Sequence, residues 1–237
     1  MTLGRLSLIA VLATALMLIA TQTAGADDPG TATLVGEEML VQDLTLSTID
    51  CDPSRVSTVS YSASGIATGP YPGPFTVQGM VTIEPQTQPG PRTGTVEGPL
   101  QSLSETFTIN SALGTVTGTK SLPPTGATPS DIGSCQHVTG FATGPITDAS
   151  GTVVDVFSEP VYDAIVQQPS GTFHVTGDAS ISFTELDLDG MCMLVQCHFR
   201  QAAFDQSFLT STSTQCDENE NGQGNQDPGC QGQEGGR

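Results

Sequence analysis

The sequence predicts an all-β protein: an antiparallel β-sandwich stabilised by disulfides, with a β-barrel as the alternative architecture. Residues from about 38 to 209 are rich in Thr, Ser, Val and Gly, and Gly or Pro interrupts them at short intervals. No segment in this range places apolar residues at the 3.6-residue period of a helix. Short strand-like segments between regular turn signals are typical of sandwiches and barrels. We therefore expect one β domain over residues 27–210.

Two consecutive segments show which face of each strand is buried. Apolar and polar residues alternate over residues 75–83, which predicts a strand with one apolar and one wet face. The apolar set is Phe75, Val77, Val81 and Ile83. The preceding segment, 61–69, carries mostly Ala and Gly at alternate positions, so another layer can approach that face closely.

Turn chemistry predicts a hairpin later in the chain. Asp189-Gly190 is a favoured two-residue hairpin turn because both positions tolerate positive φ. The strand before it would end at Leu188, and the returning strand would begin at Met191.

Lys120 is interpreted as a charge on an edge strand, where it would discourage the addition of further strands.

A six-residue segment occurs twice. Gly65 to Pro70 reads Gly-Ile-Ala-Thr-Gly-Pro, and Gly140 to Pro145 reads Gly-Phe-Ala-Thr-Gly-Pro. A Pro-rich stretch separates the two copies, so the domain could consist of two sub-sheets divided near residues 121–134. That stretch could equally be a long crossover within one domain, which is the interpretation we favour.

The first 26 residues indicate the compartment. Arg5 precedes an apolar run over residues 6–20, and the small residues Ala24-Gly25-Ala26 follow. This pattern predicts a secretory signal peptide, cleaved before Asp27, and an extracellular protein. No later segment is apolar for long enough to span a bilayer, so we expect no membrane span in the mature chain.

Six cysteines follow the signal segment, and an even number in an oxidising compartment predicts disulfides. Cys216 and Cys230 bracket a flexible loop and are expected to pair. Cys192 and Cys197 are expected not to pair, because residues on one extended strand would lie about 16 Å apart. The predicted disulfide cysteines are Cys51, Cys135, Cys192, Cys197, Cys216 and Cys230.

Charge limits the possible partners. All 25 acidic residues follow the signal segment, against five basic ones. Such a surface repels phosphate backbones, so nucleic acid is excluded as a partner. A basic partner or a carbohydrate surface remains open.

The segment 211–237 is composed of Gly, Gln, Asn and acidic residues and is expected to be a disordered tail. Within it, Asp217, Asn219 and Asn221 place oxygen ligands at alternate positions before Gly222, as in the first half of a calcium-binding turn. The bidentate Glu expected at the twelfth position is missing, since Pro228 stands there. No other cofactor is expected.

No catalytic motif stands out, so the chain is interpreted as a non-enzyme without excluding a site assembled in space. Tyr71 is the candidate binding residue. It lies in the Pro-rich loop from Gly69 to Pro74, where a rigid turn would hold its aromatic ring exposed.

The segment Tyr61 to Ile83 resembles one found in a group of uncharacterised secreted proteins of high-GC bacteria. The resemblance is carried by its run Ala-Ser-Gly-Ile-Ala-Thr-Gly-Pro-Tyr-Pro-Gly-Pro-Phe-Thr. Residues 107–109 and 114–120 are similar to the same group. The resemblance covers about a third of the chain. It implies a secreted bacterial β protein, and it transfers no activity or site residue.

Three functions are compatible with these observations. The first is a secreted, non-catalytic β module that binds a ligand or a surface. The second is a secreted hydrolase, which predicts a deep pocket holding a His or two close carboxylates. The third is a structural or adhesion module stabilised by calcium.

Overall fold

The computed structural model describes residues 31–52, 54–84, 95–143, 146–216 and Cys230. The regular structure of this part of the chain is eleven strands, and every strand pairing is antiparallel. The prediction of an antiparallel all-β fold is therefore confirmed. The predicted signal peptide lies outside the described residues. The strands are β1 (Glu38–Asp50), β2 (Ser57–Thr68), β3 (Gly73–Ile83), β4 (Thr95–Ser111), β5 (Gly114–Ser121), β6 (Ile132–Thr143), β7 (Ile146–Ser158), β8 (Val161–Gln168), β9 (Gly171–Cys192), β10 (Val195–Phe208) and β11 (Thr212–Cys216).

All eleven strands belong to one hydrogen-bonded sheet. Its pairings follow a closed path from β1 through β2, β3, β4, β5, β8, β9 and β10 back to β1. The remaining strands branch from this path: β7 pairs with β9, β6 joins β7 to the start of β4, and β11 pairs with the start of β9. Within the described ranges no helix is long and apolar enough to cross a membrane.

The core lies between strands that face each other across this closed path. Tyr61 of β2 packs on Phe183 of β9, with ring centroids 4.7 Å apart. Phe208 of β10 meets Phe107 of β4 at 5.4 Å and Tyr162 of β8 at 4.9 Å. Aromatic pairs at these distances bury large areas and add directional contacts.

The predicted faces of the second and third strands are confirmed. Phe75, Val77, Val81 and Ile83 are all buried, and so are the small residues that β2 turns inward. The packing between the two strands depends on Gly79. A Cβ at that position would lie 2.2 Å from Cζ of Tyr61, so the missing side chain leaves room for the Tyr61 ring.

The predicted turn at Asp189-Gly190 is wrong. Both residues lie inside β9, which pairs with β7 on one side and with β10 on the other. The chain turns instead at Met193 and Leu194, whose φ angles are 46° and 77°. Gly190 serves packing, because a Cβ there would lie 2.5 Å from Cγ2 of Ile146.

The expectation that Cys192 and Cys197 do not pair is also wrong. They lie on either side of the turn rather than on one strand, and they form a disulfide with Cα atoms 5.6 Å apart. The predicted pair Cys216–Cys230 is confirmed, and Cys51 pairs with Cys135. All six predicted disulfide cysteines are therefore bonded.

The predicted tail starts too early. Residues 212–216 form β11, whose Thr and Ser side chains suit a strand and which pairs with β9 over residues 172–176. The proposed calcium ligands Asp217, Asn219 and Asn221 lie outside the described residues, so the calcium site stays a prediction.

Candidate functional site

The outer surface of β2, β3, β4 and β5 carries a regular grid of uncharged polar side chains. Each of these strands alternates between residues directed into the core, such as Val77 and Phe107, and residues directed outward. Where the four strands lie side by side, most of the outward positions are Ser and Thr, with Ile66 and Met80 as exposed apolar exceptions. We call this surface the hydroxyl face; its members are Ser60, Ser62, Ser64, Thr76, Gln78, Ser104, Thr106, Thr108, Thr117, Thr119 and Ser121.

The strand register aligns these side chains in rows. One row is formed by Ser64, Thr76, Thr108 and Thr117, and the next by Ser62, Gln78, Thr106 and Thr119. Neighbouring strands are about 4.8 Å apart, and successive outward residues on one strand are about 6.7 Å apart. A third row is formed by Ser60, Met80, Ser104 and Ser121, in which Met80 is apolar and 42 % exposed. The result is a two-dimensional array of hydroxyl groups.

A shallow depression marks the middle of the hydroxyl face. It has a volume of about 220 Å³ and lies between β3 and β4. Four side chains of the face and two core residues line it: Thr76, Gln78, Thr106, Thr108, Val77 and Phe107. A hydroxyl donates one hydrogen bond and accepts two, so such a surface can hydrogen-bond a ligand that carries both donors and acceptors.

The hydroxyl face is neutral in a strongly acidic chain. None of its members is ionisable, whereas the sequence has 25 Asp and Glu residues. Acidic residues flank the face on both sides. Asp43 on β1 is the register partner of Ser64, and Asp163 on β8 is the register partner of Thr119. Asp163 also lies 3.0 Å from Nε2 of His174. The acidic borders disfavour an anionic ligand on this face.

Sequence reasoning found only part of this surface. The alternation of residues 75–83 identified a wet side of β3, but the register that aligns it with β2, β4 and β5 depends on pairings the pattern does not specify.

The structure contradicts the expectation that Tyr71 is exposed. Tyr71 is 2 % exposed and is part of the core. Its backbone N–H donates to Oε2 of Glu37 over 2.7 Å, and its hydroxyl accepts a hydrogen bond from Nε2 of Gln168. Only Tyr71 of the loop is buried, while Gly69, Pro72 and Pro74 are exposed. Its burial is possible because these polar partners satisfy its N–H and its hydroxyl. A binding role for Tyr71 stays a prediction.

Glu37 is itself unusual. It is fully buried, and its second carboxyl oxygen, Oε1, has no hydrogen-bond partner. Desolvation by burial raises the pKa of Glu37 to about 7, against the opposing effect of the Tyr71 N–H. The Glu37 carboxyl is therefore partly protonated at neutral pH, and its Oε2 still accepts the hydrogen bond from the Tyr71 N–H.

The end of the β9–β10 hairpin carries a cluster of ionisable side chains. Nδ1 of His198 lies 3.1 Å from Asp189, and Nε2 lies 3.3 Å from Asp187. Next along the strands, Nε of Arg200 donates to Glu185 over 2.9 Å. His198, Asp187 and Asp189 are exposed cross-strand neighbours, so the deep pocket that a hydrolase predicts is not formed around them. Glu185 is buried and pairs with Arg200.

No metal centre is formed by the described ranges 31–52, 54–84, 95–143 and 146–216. In them, no group of three His, Cys, Asp or Glu side chains is arranged to hold an ion.

The interpretation of Lys120 as an edge charge is wrong. β5 lies between β4 and β8, and Lys120 is directed into the core, where it is 1 % exposed. Its partners are 15 and 86 residues distant in the sequence, so no local pattern could have identified them.

Comparisons with known proteins add no relative: no family model matches the chain, and neither the curated proteins nor the solved structures contain a significant match.

Proposed function

We propose that this protein is an extracellular, non-catalytic module that binds a neutral polysaccharide surface through the hydroxyl face. The observation that carries the proposal is the neutral grid of Ser, Thr and Gln side chains on β2 to β5, in a chain that is otherwise strongly acidic. The three disulfides support an oxidising, extracellular location.

The chemistry of the grid matches a sugar polymer. Sugar hydroxyls, like those of Ser and Thr, both donate and accept hydrogen bonds, so each can pair with the other. A single such bond contributes only about 1 kcal/mol. A repeating polymer meets several rows of the grid at once, and many weak contacts then add to a useful avidity.

The positions of the aromatic side chains indicate whether sugar rings are bound by stacking or by hydrogen bonds. The chain has no Trp, and Tyr61, Tyr71 and Tyr162 are each 2 % exposed. Sugar rings therefore cannot stack on these residues, and the exposed Phe157 lies on β7, outside the hydroxyl face. Recognition by the hydroxyl face, which has no aromatic member, therefore rests on hydrogen bonds. Such recognition favours an extended insoluble surface over a small soluble sugar.

The test is adsorption of the purified protein to insoluble neutral polysaccharides, with cellulose and a β-1,3-glucan as the solids. We expect the wild type to be depleted from solution. The double variant Thr106→Glu/Thr119→Glu places two charges in the centre of the hydroxyl face, and we expect its adsorption to fall about tenfold or more, the effect of roughly 1.4 kcal/mol.

The matched control is Gln196→Glu/Gln201→Glu, which adds the same charge at two exposed positions of β10. This variant should adsorb like the wild type. The proposal is wrong if the wild type adsorbs to neither solid, or if both double variants lose adsorption equally, which would indicate an effect of total charge rather than of this face.

A further inference from the structure

Lys120 is the only lysine in the 237-residue sequence, and the fold buries it completely. Lysine is normally among the most exposed residues and is almost never fully buried without a partner. Its two polar partners are Glu105, at 1 % exposure, and Gln206, also at 1 % exposure. Burying an amine, a carboxyl and a carboxamide together in a core costs free energy unless each group is hydrogen-bonded.

The register of the sheet brings the carboxyl and the amine together. Glu105 on β4 is the direct partner of Lys120 on β5. Gly79 on β3 is the direct partner of Glu105 on its other side, and Tyr61 on β2 is the partner of Gly79. The absent side chain of Gly79 lets the Tyr61 ring extend across β3 to reach Glu105.

The carboxamide comes from the opposite wall of the core. Gln206 lies on β10, which pairs with β1 and β9 and not with β4 or β5. Its Oε1 accepts a hydrogen bond from Nζ of Lys120, so the carbonyl carbon is one C=O bond, about 1.23 Å, beyond the atom that the amine contacts. The amine and the carboxamide are therefore held together before any reaction.

Glu105 bridges the two groups. Its Oε1 accepts from Nζ of Lys120 over 2.9 Å, and its Oε2 accepts from Nε2 of Gln206 over 2.6 Å. The Tyr61 hydroxyl donates to the same Oε2 over 2.7 Å and orients the carboxyl. One carboxyl thus touches both the amine and the nitrogen that would leave.

The surroundings are dry and aromatic. Nζ of Lys120 lies 4.7 Å from the ring centroids of both Phe107 and Phe208. Desolvation by burial lowers the pKa of Lys120, although the charge of Glu105 acts in the opposite direction. The lowered pKa favours the neutral amine, which is the nucleophilic form. Water, the competing nucleophile, is excluded by the same rings.

We propose that the Lys120 amine and the Gln206 side chain condense spontaneously to an intramolecular isopeptide bond. Nζ attacks Cδ of Gln206, and the new N–C bond forms as Glu105 takes a proton from Nζ. Glu105 then delivers that proton to Nε2, the Cδ–Nε2 bond breaks, and ammonia leaves. Atoms and electrons balance with no added reagent, and Glu105 ends as it began.

Gln206 rather than Glu105 is the acyl donor for a chemical reason. Attack on Glu105 would use up the group that transfers the proton, and an ionised carboxylate is a poor electrophile. Attack on Gln206 leaves Glu105 in contact with both the nucleophile and the leaving group.

The bond would connect two walls of the core that side-chain hydrogen bonds join but that do not pair directly as strands. It would close a loop of 86 residues between β5 and β10, similar in length to the loop of 84 residues closed by Cys51–Cys135. Unlike a disulfide, it would survive reduction. An extracellular module would thus keep one permanent cross-link under conditions that open the other three.

The test begins with the wild-type protein, denatured and reduced, with its N-terminus determined. We expect an intact mass below the sequence mass by one ammonia, and an amine-reactive reagent should label only the α-amino group. Trypsin should fail to cut after Lys120 and should release residues 93–200 joined to 201–237. The amine count and the joined peptide are needed because a succinimide at an Asn would lower the mass equally.

Matched variants identify the roles. Glu105→Gln keeps the shape but cannot carry the proton, and Gln206→Met removes the acyl group; both should show the full sequence mass and two reactive amines. The full mass and a free lysine in the wild type would overturn the proposal, as would a mass lower by water with Lys120 joined to Glu105. The mass, amine count and joined peptide of the wild type decide the question without the variants. The proposal can therefore still be overturned if a variant fails to fold.

Discussion

Two basic side chains in this molecule lie at the same distance from a carboxyl group but in very different surroundings. Nζ of Lys120 lies 2.9 Å from Glu105, and Nε of Arg200 lies 2.9 Å from Glu185. The side chains of the first pair are both 0 % exposed. In the second pair, Arg200 is 33 % exposed at its side chain and Glu185 is 4 % exposed. Distance alone therefore does not distinguish the two pairs.

The neighbours of each pair explain what it can do. Lys120 contacts a carboxamide and two phenylalanine rings. Arg200 contacts Glu185 and the backbone carbonyl of Leu44. A guanidinium stays charged and is no nucleophile, and its second partner is not an acyl donor with a good leaving group. The partly exposed pair is a structural ion pair, whereas the fully buried pair is arranged for a reaction.

The largest effect should come from replacing each of the two basic side chains in turn. Lys120→Met removes the basic partner of the buried Glu105, leaves it only the hydrogen bonds from Tyr61 and Gln206, and prevents the cross-link. We therefore expect a loss of about 3–5 kcal/mol in the free energy of unfolding. Arg200→Met leaves the nearly buried Glu185 carboxylate without its cation, but a third of the guanidinium side chain is exposed to water, so the loss should be smaller, about 1–2 kcal/mol. Urea unfolding of both variants measures the difference, and equal losses would contradict the contrast between the two pairs.

The next effect should come from the glycine under Tyr61. Gly79→Ala places a Cβ 2.2 Å from Tyr61 and displaces the ring that orients Glu105, which should cost about 1–3 kcal/mol. The control is Gly98→Ala, whose nearest contact would be 3.3 Å from the carbonyl oxygen of Glu84. Thermal unfolding should show a clear decrease in Tm for the first variant and little change for the second. A larger decrease in Tm for Gly98→Ala than for Gly79→Ala would mean that the Tyr61 ring does not need the space left by the missing side chain of Gly79.

Glu37 is a third buried carboxyl, and among the described residues it forms no ion pair. Its folded pKa of about 7 exceeds the reference value of 4.5, so the folded state binds the extra proton. Stability from this group is therefore complete below the unfolded pKa and is lost as pH rises from about 4.5 to about 7. Glu37→Gln should match the wild type at low pH and exceed it by roughly 1–3 kcal/mol at pH 8.

Unfolding titrations at several pH values measure this effect. The exposed Glu84→Gln variant is the control and should follow the wild type throughout. A Glu37→Gln variant that gains nothing above neutral pH would show that the buried carboxyl finds a partner on ionisation.

The smallest effect should come from the exposed turn. Met193 and Leu194 are both 93 % exposed and have positive φ angles, which cost energy for residues with a Cβ. Met193→Asn/Leu194→Gly supplies residues suited to these angles and removes no packing, so we expect a gain of about 0.5–1 kcal/mol. The Tm of the variant measures it, and a decrease would show that the apolar turn has a packing partner.

The sequence predicts the parts of this fold that depend on local alternation. Phe75, Val77, Val81 and Ile83 are buried as expected because a strand has a period of two and one apolar face must be covered. The expectation for Cys216–Cys230 holds because both ends of a short segment can meet without knowledge of the sheet.

The errors come from contacts between distant segments. Asp189-Gly190 looks like a turn but is flanked by two pairing strands, and the disulfide Cys192–Cys197 closes the turn further along. Lys120 looks like an edge residue because Glu105 and Gln206 are brought to it only by the closed path of the sheet. The hydroxyl face likewise needs the register of four strands. The one local clue to the buried cluster is that the chain uses lysine only once.

The central claim concerns the chemical state of one nitrogen, Nζ of Lys120, and the chain offers no other lysine to confuse its signal. Protein labelled with ¹⁵N at lysine Nζ should give, in a ¹H–¹⁵N correlation spectrum, one amide resonance with a single attached proton that persists in denaturant. The same nitrogen should couple to the ¹³C-labelled side-chain carbonyl of Gln206. An amine or ammonium resonance in the folded and unfolded protein, with no coupling to Gln206, would contradict the account.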